Sequence, residues 1–252
     1  MDQLFQDLWN KLMHIQCFQK VGHQSLTEIF KTGFILYKRT IFKLLPLTLL
    51  ILTISYILIF SIVYFLFLIE VKNKDLVMSV LGLLLGVVFQ FIMLITLNSL
   101  IDGRTKSGTP LLNMFNKFIS YICAYMICLL ACCIAYFVFV IPGIYLSILL
   151  SFSPYLVVLR NVSIFDSVEK SGMLVSGYWW RTAFVYLTII IIGYVSKLLI
   201  LFVAKQVMRN NPIVYDILFI AYAALLLPLT QCFILSLFYD LDARFEIKNK
   251  QQ

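Results

Sequence analysis

Residues Phe137 to Phe184 read F-V-F-V-I-P-G-I-Y-L-S-I-L-L-S-F-S-P-Y-L-V-V-L-R-N-V-S-I-F-D-S-V-E-K-S-G-M-L-V-S-G-Y-W-W-R-T-A-F. The fold turns on this stretch. Proline donates no backbone N–H and glycine tolerates positive φ, so Pro142-Gly143 can reverse a chain inside an unbroken apolar run. The reading is a membrane span that ends at this turn and a short returning span, Ile144 to Leu159, kinked by Pro154. About 16 residues at 1.5 Å each give roughly 24 Å, against a hydrocarbon core of about 30 Å. Next comes an amphipathic helix opened by Ser163 with Asp166 three residues on. It places Ile164, Phe165, Val168, Gly172, Val175 and Trp179 on one face and Asp166, Glu169 and Lys170 off it. Trp179-Trp180-Arg181 then reads as an aromatic and basic anchor at headgroup level.

Composition carries the same message over the whole chain. Of 252 residues, 62% are hydrophobic and 13% charged, and the mean hydropathy is +0.96. Soluble domains carry about 25% charge. Apolar runs of span length recur, and in hydrocarbon every backbone polar group must be bonded internally, so the runs are helices. The net charge of +8 sits beside those runs and fits the positive-inside rule better than a nucleic-acid surface. Of the six cysteines, Cys123, Cys128, Cys132, Cys133 and Cys232 lie in apolar helices with no metal-ligand spacing.

Working toward the N-terminus, a third span over Phe118 to Phe139 follows Thr109-Pro110, a cap with proline at the first helical position. Asp102 to Thr109 is a polar loop. The second span, Leu76 to Leu100, carries Gly82 and Gly86 at a spacing that lets another helix approach, and Gln90 near its middle is expected to face the bundle. The first span, Leu44 to Ile69, has Pro46 near its start. Before it, Ser25-Leu-Thr-Glu28 is a capping box opening an in-plane interfacial helix. Residues 1–24 read as a cytoplasmic segment with weak amphipathic character, without a cleavable signal, and with His14 and His23 as surface residues. Toward the C-terminus, a fifth span covers Ala183 to Val203 and a sixth covers Pro212 to Phe238, interrupted by Pro228. Residues 239–252 are expected to form a mobile charged cytoplasmic tail.

The fold class expected is therefore an all-α integral membrane protein, about six transmembrane helices in three hairpins, each preceded by an interfacial amphipathic helix. The membrane domain covers residues 25–238. Lys31 to Phe42 and Lys170 to Phe184 share a Lys, a small hydroxyl residue, a Gly and a later Arg-Thr-x-Phe, which raises a repeat reading beside the plainer one that all such helices need these parts. Fifteen Lys and Arg fall on one side of the spans and four on the other, with Lys197 inside a span, so both termini are expected to be cytoplasmic. Lys197 and Asp216 are the ionisable residues in the outer half of the spans. They read either as a coupled pair or as a snorkelling Lys and a helix-start Asp.

The segment Val140 to Pro154 (V-I-P-G-I-Y-L-S-I-L-L-S-F-S-P), with I-F-D-S-V-E-K-S and the aromatic pair after it, resembles the YciC family of bacterial inner-membrane proteins. More distantly it resembles the membrane domain of some glycerophosphodiester phosphodiesterases. The resemblance implies a bacterial inner-membrane location and brings no catalytic residues. No nucleophile, base and orienter set, no phosphate loop and no HExxH is present in the sequence. The expectation is a non-enzymatic protein of the envelope that needs no cofactor and binds no nucleic acid. Its partners would be membrane lipids, with a membrane-protein partner or a second copy also open. A small transporter or channel, or an accessory subunit, is the alternative.

Overall fold

The computed structural model describes residues 25–68, 74–102, 111–207 and 212–251. The N-terminal segment with His14 and His23, the first outer turn, the loop with Thr109-Pro110 and the end of the turn before Pro212 lie outside these residues. The described residues form eight helices: α1 (Leu26–Leu68), α2 (Lys74–Asp102), α3 (Leu111–Val138), α4 (Val140–Leu149), α5 (Ser153–Arg160), α6 (Ile164–Ser176), α7 (Trp179–Val207) and α8 (Pro212–Gln251). Six segments are long and apolar enough to cross a membrane. The chain is thus helical and of the polytopic membrane class.

Local signals explain several boundaries. Ser25 and Glu28 form the reciprocal capping box, with Ser25 N–H donating to Glu28 Oε2 at 2.6 Å and Glu28 N–H to Ser25 Oγ at 3.3 Å. Ser163 Oγ accepts from Asp166 N–H at 3.3 Å and opens α6. Asn161, between α5 and α6, takes the left-handed conformation at φ 51°, which asparagine tolerates.

Other boundaries differ from the sequence reading. The break after α3 falls at Phe139, which is extended at φ −156° and ψ 140°. Pro142 sits in the first turn of α4, where its missing N–H is no loss. Gly143 is buried, and a Cβ there would stand 2.5 Å from Tyr136 Cδ1 and 3.0 Å from Tyr136 Cα, so this glycine serves close helix approach rather than the turn itself. Pro154 lies at the start of α5 and opens a new helix after the turn at Leu150–Phe152. The expected interfacial helix at Ser25 is no separate element, because α1 runs unbroken for 43 residues. Likewise α8 runs 40 residues through the expected tail, with Asp240 and Leu241 fully buried. No glycine or proline follows Pro228, so nothing in the sequence stops that helix.

The chain divides into two compact units. One holds residues 34–93 and 187–232, where hydroxyls bond carbonyls of other helices. Pro228 cannot donate to the carbonyl of Ala224, and the hydroxyl of Thr48, fully buried, is shared between that oxygen at 3.3 Å and Leu45 O at 2.9 Å. Tyr37 Oη donates to Leu225 O at 3.1 Å, and Tyr222 Oη to Gly193 O at 2.9 Å. A helix interior proline is thereby tolerated, because side chains re-satisfy the backbone it frees. In this unit Gly82 and Gly86 have no atom of the described residues within 4 Å of a Cβ at either.

The other unit holds residues 25–33, 94–186 and the chain from Phe233. Its centre is aromatic: Phe152 lies 5.8 Å from Phe238 and 6.3 Å from Tyr186 between ring centroids, and Tyr155 lies 6.1 Å from Phe238. Around this centre α6 packs on α4 and α5 through a face of Ser167, Ser171, Leu174 and Val175. Ser167 and Ser153 share a hydrogen bond of 2.7 Å, and Ser171 Oγ donates to Leu149 O at 2.8 Å. The expected apolar face is displaced: Phe165 is 78% exposed and the serines are buried. Small hydroxyl side chains let the backbones approach and bond across the gap, which a phenylalanine would prevent.

Candidate functional site

The densest set of charged side chains among the described residues lies where α8 meets the end of α5 and the start of α7, all within one unit. Asp240 is fully buried, and its Oδ2 takes Arg181 Nη2 and Arg244 Nε, each at 3.0 Å. One helical turn separates Asp240 from Arg244. The Arg244 guanidinium also lies over the Tyr178 ring, 5.1 Å from its centroid. Arg160 bonds Asp242 through Nε and Nη2, and its Nη2 is 3.5 Å from Glu246. Tyr239 Oη donates to Asn98 Oδ1 at 3.0 Å.

Three guanidinium groups thus face three carboxylates, and the set is neutral. Burial grades across it: the side chains of Asp240 and Arg244 are 0% and 8% exposed, those of Arg160 and Glu246 are 45% and 57%. Taking a charge out of water is costly unless geometry and hydrogen bonds compensate, and the cost of breaking such a pair from one side is about 3 to 5 kcal/mol. The inner half, around Asp240, is therefore a lock between α7 and α8. Asp240 Oδ1 is buried and accepts no hydrogen bond among the described residues.

Sequence reasoning did not find this cluster. Its members lie as far apart in the chain as Arg160 and Glu246, and only the Asp240 to Arg244 spacing was legible as a pair. Arg181, expected to reach headgroups, instead turns to Asp240. Its neighbours in the anchor split: Trp180 is 82% exposed, whereas Trp179 stacks on Tyr145 at 5.4 Å and its Nε1 donates to Tyr145 O at 3.3 Å. Lys197 is exposed on α7, and the side chain of Asp216 lies outside the described residues. The side chain of Gln90 is exposed on α2. Pro142 and Pro154 stand at helix starts, Gly143 at a close approach and Pro228 inside α8.

No family model, no curated protein and no solved structure matches the chain.

Proposed function

We propose that this is a YciC-like protein of the bacterial inner membrane, with cytoplasmic termini, that works through contact with lipids and has no covalent chemistry of its own. The observation that carries the reading is the inversion of burial. Asp240, Ser153, Ser167, Ser171 and Thr182 are fully buried, while Phe42, Phe137, Ile141, Trp180 and Phe202 are more than 60% exposed. Monomeric soluble proteins rarely expose apolar patches of more than a few hundred Å², and larger ones mark a membrane or a partner. Envelope lipid handling or membrane organisation is the role this surface supports. The three-hairpin arrangement and the interfacial role of α6 belong to the same proposal, supported by the antiparallel course of α3 and α4 around Gly143. The transporter alternative, whose motive is the broken helices at Pro142, Pro154 and Pro228, is favoured by no observation among the described residues.

Native mass spectrometry of the full chain released from a detergent micelle tests the reading. Retained phospholipid, reduced on Trp180→Ala, is the expected outcome. A chain that leaves the micelle without lipid and is unaffected by that substitution would count against it.

A further inference from the structure

The third and fourth candidate spans, Met114–Val138 and Val140–Arg160, form one hairpin, and we infer that this hairpin does not cross the bilayer but lies obliquely in a single leaflet. The inference rests on the membrane reading above and concerns one unit of the chain only.

The first argument is charge. Helix α6 runs back along α4 and α5, because Ser167 meets Ser153, Ser171 meets Leu149, and Trp179 meets Tyr145. Asp166, Glu169 and Lys170 flank those serines and are exposed. Residues 149–153 are the middle of the fourth candidate span. Were that span to cross, three exposed ionisable side chains would sit at the depth where charge is least tolerated. Their level belongs to the headgroups or the water beside them.

The second argument is the tip. Phe137, Phe139 and Ile141 are 94%, 69% and 81% exposed, and Phe137 to Gly143 contains no charged, hydroxyl or amide side chain to meet water on a far side. Its backbone is economical in donors: Phe139 N–H bonds Ala135 O at 3.0 Å, Gly143 N–H bonds Phe139 O at 3.2 Å, and Pro142 has none. Trp179 and Trp180 stand level with Tyr145, five residues from Val140, or about 7.5 Å along a helix. Tryptophan favours the interface, so the tip reaches about half the depth of a leaflet whose hydrocarbon is roughly 15 Å thick. Along α3, Phe115, Ile119, Met126, Leu130, Ile134 and Phe137 form one exposed stripe, and Lys117, the single charge of that helix, lies outside it. Stripe and tip together fit the acyl chains of one leaflet.

The two arrangements reverse a depth gradient. In a crossing hairpin the tip is shallow and residues further along α4 are deeper; in a one-leaflet hairpin the tip is deepest. A genetically encoded nitroxide amino acid placed singly at Phe139, Ile144 or Glu169 of the full chain in phosphatidylcholine and phosphatidylglycerol vesicles reads this without touching the cysteines. The accessibility to oxygen relative to a water-soluble nickel chelate should be greatest at 139, smaller at 144 and water-like at 169. A smaller ratio at 139 than at 144, a lipid-like value at 169 or water-like values at all three would overturn the inference. A lipid-soluble carbene reagent on the unsubstituted chain, read residue by residue by mass spectrometry, should give the same order and covers the case of a variant that fails to fold. Release of the chain from membranes by alkaline carbonate would instead fail the membrane reading itself.

Discussion

Helix α5 and the stretch of α7 from Leu187 onward are both apolar, yet their surroundings differ completely. Ser153 to Val158 of α5 are all buried, against the aromatic centre and the serines of α6. In α7, Leu187, Ile190, Ile191, Tyr194 and Leu199 are each more than half exposed. Hydrophobicity alone does not separate them. What selects α5 for the interior is its small and polar partners, because helices in an apolar solvent gain little by hiding leucine and gain more from close packing and satisfied polar groups. A helix apolar on all sides, such as α7, is at home only where the surroundings are apolar too.

If that contrast holds, the largest loss of stability should come from the polar interior. Asp240→Leu leaves Arg181 and Arg244 beside a missing carboxylate and should cost about 3 to 5 kcal/mol, read as the thermal midpoint in detergent. Adding Arg181→Met and Arg244→Met to it should recover part of the loss. Next comes Gly143→Ala, which drives a methyl against the Tyr136 backbone and should cost about 1 to 3 kcal/mol by the same assay. Thr48→Val, which removes the hydroxyl shared by the Leu45 and Ala224 carbonyls beside Pro228, is expected to cost about 1 to 3 kcal/mol. Restoring the helix bond with Pro228→Ala in the Thr48→Val background should return part of it. Smallest of all, Lys197→Met on the exposed face of α7 should stay within about 0.5 kcal/mol. A loss comparable to that of Asp240→Leu would show that α7 carries a buried ion pair and would erase the contrast.

The helices were legible because long apolar runs, the Ser25 and Ser163 caps and the Pro142 to Pro154 spacing are local signals. The course of α8 beyond Phe238 was legible too, in the absence of any glycine or proline, although its high charge has the pattern of a tail. The packing was not legible. Whether Phe165 or Ser167 faces inward depends on what lies opposite, and Ser153 becomes a partner of Ser167 only once α5 and α6 have folded back on each other. Arg181 illustrates the same limit: beside two tryptophans it has the pattern of an anchor, and Asp240, its partner in the structure, is 59 positions away in the sequence.

The inverted burial is the centre of the account, and alkaline carbonate extraction of membranes containing the full chain tests it most directly. Lipid covering the exposed faces of α1, α3 and α7 predicts that the chain stays wholly with the sedimented bilayer, as an integral protein does. Recovery of folded chain in the carbonate supernatant would mean that something other than lipid covers those faces, and the account would be wrong.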